Sequence, residues 1–104
     1  LNGGELFVAS EEAGAFRLAT GFSSQWEYKV QFAKDLFVTH VTSNNNQIAV
    51  SCASNGLGLY EAMQPSAVEE RGIHDIGYVY HSEFSNGYLF SASREGLQIF
   101  EIDE

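Results

Sequence analysis

Leu6-Phe7-Val8-Ala9-Ser10, Ile48-Ala49-Val50-Ser51-Cys52-Ala53-Ser54 and Leu89-Phe90-Ser91-Ala92-Ser93 are three versions of one segment. They recur at a spacing of about 41 residues, a period that marks a repeat architecture. Each leads into a glycine (Gly14, Gly56, Gly96) and then a second apolar stretch. The segments have strand length and end in turn formers, and no convincing helical periodicity interrupts them. A strand-only repeat of about 40 residues is the pattern of β-propeller blades. The expected fold is therefore all-β, built of antiparallel four-stranded blades.

The flanking residues carry the same repeat. Asn2-Gly3-Gly4, Asn44-Asn45-Asn46 and Ser85-Asn86-Gly87 precede the segment, and Asn and Gly tolerate the positive φ of tight hairpins. After it, Glu11-Glu12-Ala13-Gly14, Ser54-Asn55-Gly56 and Arg94-Glu95-Gly96 make a second turn. The next stretch alternates, with Leu57 and Leu59, or Leu97 and Ile99, on one face and Gly58 or Gln98 on the other. Residues 26–32 alternate bulky and polar side chains, and their counterpart at 68–74 is poorer in apolar residues. Residues 36–42 and 77–84 complete the pattern, while Pro65 marks residues 62–67 as a loop.

Counting these segments predicts about ten strands: part of a blade over 1–35, a complete blade over 36–76 and part of a third over 77–104. The continuous apolar strand is explained if neighbouring blades cover both of its faces. Glu69, Glu70 and Arg71 suit an outer edge guarded against stray pairing. Two and a half blades make an incomplete ring, since closure takes at least about four. The expected partners are then the remaining blades of a larger propeller, or further copies through self-association.

The stretch Gly96-Leu97-Gln98-Ile99-Phe100-Glu101-Ile102 resembles the repeat of bacterial propellers of the LVIVD type, as does Gly56-Leu57-Gly58-Leu59-Tyr60-Glu61-Ala62 and, more loosely, residues 14–20. Gln64-Pro65-Ser66 echoes the Ser/Asn-Pro that follows in that family. The resemblance implies a blade and an extracellular, periplasmic or surface-attached location, and it names no activity. The pairs that mark WD40 and Kelch repeats are missing from the sequence.

The chain has 104 residues, 44% hydrophobic, with 14 acidic against 5 basic residues and a formal charge of −9. That balance argues against nucleic acid or anionic lipid as partner, since both require a cationic surface. The single cysteine, Cys52, excludes an internal disulfide and a cysteine zinc cluster. No apolar run reaches the roughly 18 residues of a membrane span.

His40 and His81 occupy one place in successive repeats, and Glu83 shares a strand face with His81. In a propeller they would line the channel and could hold a metal or a small ligand. The competing reading is that each imidazole hydrogen-bonds a neighbouring strand. Asp35 and Asp75 recur in the inter-blade connections, where propellers bind ligands and where Asp also caps turns. Trp26 opens a strand as a candidate exposed contact. The serines form no Gly-x-Ser-x-Gly elbow, no glycine loop precedes a helix, and no calcium loop is present. No cofactor and no catalytic residue is evident. The expected role is a binding or scaffolding module for a protein, peptide or glycan. The alternative is a metal-dependent or small-ligand site built on the two histidines.

Overall fold

The computed structural model describes residues 5–20, 26–63 and 67–102. The turn expected at residues 2–4, the loop at 64–66 and the side chain of Trp26 lie outside the described part. Among the described residues, ten strands form three antiparallel sheets. The first holds β1 (Glu5–Ala9), β2 (Ala15–Thr20) and β3 (Trp26–Phe32). The second holds β4 (His40–Asn44), β5 (Gln47–Ser51), β6 (Leu57–Met63) and β7 (Ala67–His74). The third holds β8 (Val79–Ser85), β9 (Tyr88–Ser93) and β10 (Gly96–Glu101). Within each sheet, strands adjacent in sequence are adjacent in space.

The turns form as their residues dictate. Asn45 and Asn86 take positive φ in the β4–β5 and β8–β9 hairpins. The β1–β2 and β5–β6 turns are copies of one another. Ser10 N–H donates to Gly14 O at 2.8 Å, and Cys52 N–H donates to Gly56 O at 2.9 Å. Gly56, at φ +95°, lies so close to the His74 carbonyl that a Cβ would collide with backbone.

Two cores join the sheets. Phe7, Ala9, Ala15 and Phe32 of the first sheet pack against Ile48, Val50, Tyr60 and Ala62 of the second. Ala49, Leu57 and Leu59 on the other face of the second sheet meet Leu89, Phe84 and Phe100 of the third. Alternation along β5 thus sends Ile48 and Val50 one way and Ala49 the other, which is why this strand reads as a continuous apolar run. Each fully buried Ile, Val or Leu here contributes about 1.5–3 kcal/mol.

The all-β character and the strand succession agree with the sequence, but the propeller does not. The three sheets are separate, and none closes into a ring or curls as propeller blades do. The outer sheets occupy opposite faces of the central one. Backbone links between sheets include two short bridges, Glu11 with Val38 and Ala53 with Val79. The repeat encodes a strand meander and a face-to-face contact. It holds no information on the angle between successive sheets, which is what ring closure needs. The LVIVD-like reading, the incomplete ring, and the partners inferred from it (remaining blades or self-association) are corrected accordingly.

Two smaller differences have local causes. The strand expected over 36–42 starts at His40, because Val38 spends its N–H and C=O on Glu11. The apolar-poor stretch at 68–74 is an eight-residue strand, mostly exposed, held by its register against β6. At its bulge Arg71 pairs with Glu61 at 2.6 Å and with Glu69 at 2.5 Å.

Candidate metal centre

The seam between the second and third sheets brings β4 beside β8. His40 opens β4, cross-strand from Ser51 of β5, and so faces the third sheet as Ser51 does. His81 and Glu83 stand two apart on β8 and share a face. A β-bulge between Val79 and His81 re-aims this strand. It lets Val79 and Ser82 both bury while His81 and Glu83 turn outward.

The result is a compact triad. The imidazoles of His40 and His81 lie with centroids 3.6 Å apart at 36°. Glu83 Oε1 stands 3.0 Å from His81 Nε2 and 3.5 Å from His40 Nε2. One ligand atom from each residue lies within 4.8 Å of the others. Bonds of about 2.0–2.1 Å in a tetrahedral site put ligand atoms about 3.3 Å apart, and the two separations from Glu83 Oε1 bracket that value. The side chains are 26, 51 and 58% exposed for His40, His81 and Glu83, which leaves one side of the triad open to water.

His40 is the anchored member. Its Nε2 is buried and has no hydrogen-bond partner among the described residues. That nitrogen lies 3.5 Å from Glu83 Oε1, inside the triad. Burial pushes the His40 side chain below its ordinary value, and the neighbouring His81 pushes the same way. Glu83 and the Ser82 backbone oppose the shift without reversing it. A neutral imidazole is the form that binds metal.

The structure therefore gathers His40, His81 and Glu83, and it leaves the other sequence candidates apart. The histidines stack in an inter-sheet seam instead of facing one another across a channel, because the sheets do not close around an axis. Asp35 is exposed in the β3–β4 connection, at shallow surface depressions shared with Leu36. Asp75 is exposed, and its Oδ1 accepts a long 3.4 Å bond from Gly77 N–H. Neither joins the triad.

Sequence reasoning overlooked the supports of the site. Thr39 Oγ1 lies 3.3 Å from Tyr80 O, and the hydroxyls of Ser51, Ser82 and Ser91 form a buried chain. The available signal was a serine inside an apolar run, which must find a partner once buried. Comparison with known proteins matched no family model, no curated protein and no solved structure. A scaffolding role for a protein, peptide or glycan partner was inferred from a propeller's disc. It loses its basis with the ring, and the histidine alternative is the better supported reading.

Proposed function

We propose that this protein binds a divalent transition-metal ion, zinc foremost, through His40, His81 and Glu83. The carrying observation is the convergence of one ligand atom from each of three residues within 4.8 Å, with the buried Nε2 of His40 3.5 Å from Glu83 Oε1. Two imidazoles and one carboxylate suit zinc, copper or nickel, and are a poor set for magnesium or calcium, which take oxygen ligands. Three protein ligands keep at least one coordination position for water or an exchangeable small ligand, as solvent-open zinc sites do.

Titration of metal-stripped protein with zinc, followed by calorimetry and elemental analysis after dialysis, tests the assignment. One equivalent is expected to bind. His40→Ala, His81→Ala and Glu83→Gln should each weaken binding by tenfold or more while the circular dichroism of the sheets is kept. Magnesium and calcium should give no saturable binding. A folded wild-type protein that retains no stoichiometric zinc overturns the reading.

A further inference from the structure

We propose that the hydroxyls of Ser51, Ser82 and Ser91, with Thr39 at their flank, position the metal centre by fixing the separation of His40 and His81. The role as a metal support rests on the zinc reading above; the claim about ring separation stands without it.

All three serines are completely buried. Ser51 Oγ and Ser82 Oγ are 3.0 Å apart, as are Ser82 Oγ and Ser91 Oγ, so a continuous chain crosses from β5 to β8 to β9. Two of its members, Ser51 and Ser82, are bound to the histidines by register. Ser51 is the cross-strand partner of His40, and Ser82 follows His81 directly. On the other side, Thr39 precedes His40, and its Oγ1 lies 3.2 Å from Ser51 O and 3.3 Å from Tyr80 O, the residue before His81. Each histidine is thus gripped through its immediate neighbours.

Physical chemistry explains why hydroxyls stand here. β4 and β8 belong to different sheets and share no ladder of hydrogen bonds; the Ala53–Val79 bridge ties the two sheets at the start of β8, before His81 and Glu83. Apolar contacts such as Ala49 with Leu89 are non-directional and resist sliding weakly. A hydroxyl chain has a preferred length and angle, and a slip of a fraction of an ångström breaks it. The same slip would move the two Nε2 atoms relative to Glu83. A short polar chain inside an apolar seam is therefore a register device.

The triple variant Ser51→Ala, Ser82→Ala, Ser91→Ala removes the chain and leaves none of these hydroxyls buried without its partner, so it should fold with an unfolding midpoint near wild type. In metal-free protein, NMR of the imidazole C–H signals reads the stack through ring-current shifts. These signals should move toward unstacked positions. Zinc affinity, from competition with a chromophoric chelator, should fall tenfold or more, and the cobalt(II) absorption spectrum should change shape. Thr39→Val removes a solvent-exposed hydroxyl and should show the same changes in weaker form. It carries the test if the triple variant does not fold. Wild-type imidazole shifts in the variants overturn the proposal, as does undiminished zinc affinity in a protein that binds zinc. If the wild type binds no zinc, the metal reading falls and the imidazole shifts alone decide whether the serines set the spacing.

Discussion

His40 combines a ring nitrogen that is fully covered with a side chain that is one quarter open to water. Burial, then the charge of His81, lowers its proton affinity from the ordinary value of 6.5. The folded state therefore binds the proton less well than the unfolded chain does. Its contribution is fully present above pH 6.5 and is lost as the pH falls through the lower, folded-state value. In metal-free protein the urea midpoint should drop between pH 7.5 and 5.5. His40→Gln should flatten that dependence. An unchanged slope in the variant would remove His40 as its cause. At the same scale, Cys52 is inert: it is completely buried, and burial pushes its thiol up to about 11.

At the scale of elements, turns and bulges do the aiming. The bulge at Tyr80 lets β8 bury Ser82 while presenting His81 and Glu83 outward. The β5–β6 turn ends at Gly56, whose positive φ and contact with the His74 carbonyl leave no room for a side chain. Gly56→Ala should cost about 2 kcal/mol or more, from left-handed strain and backbone collision together. Denaturant titration measures it, and a loss well under 1 kcal/mol would contradict the close approach. Arg71 pairs with Glu61 across to β6 and with Glu69 on its own strand β7, and such surface pairs add little stability.

For the whole molecule, the decisive contacts are those that lock one sheet to the next. Arg17 of β2 is 1% exposed and donates from Nη1 to the carbonyls of Met63 and Ala67, each at 2.8 Å. It thereby ties the first sheet to the ends of β6 and β7. Arg17→Met keeps the apolar stem and removes the donors, leaving two carbonyls short of partners. A loss of about 2–4 kcal/mol is expected in urea unfolding. A loss below 1 kcal/mol would mean that the Arg17 bonds do not contribute to holding the first sheet on the second. The outer face of the third sheet is uncovered by the described residues, with Leu97 and Ile99 at 64 and 56% exposure. Leu57 and Leu59, their counterparts in the repeat, pack beneath that sheet.

Strand order, turn positions and the two-faced burial of β5 were legible in the sequence, because alternation and turn chemistry act over a few residues. The shared strand face of His81 and Glu83 was legible for the same reason, and so was the equivalence of His40 with His81. What the repeat left open was how one sheet sits on another. Face-to-face packing is set by side-chain volume and by links distant in sequence, such as Glu11 with Val38, Arg17 with Met63, and Ser51 with Ser82. That geometry separated stacked sheets from a closed ring. It also placed the imidazoles 3.6 Å apart in a seam, where a channel would have held them at a distance. The chain's periodicity determined the units, and tertiary packing alone decided their assembly and brought the triad together. A local pattern specifies which faces are apolar, while the angle and register at which two apolar faces meet depend on contacts between distant parts of the chain.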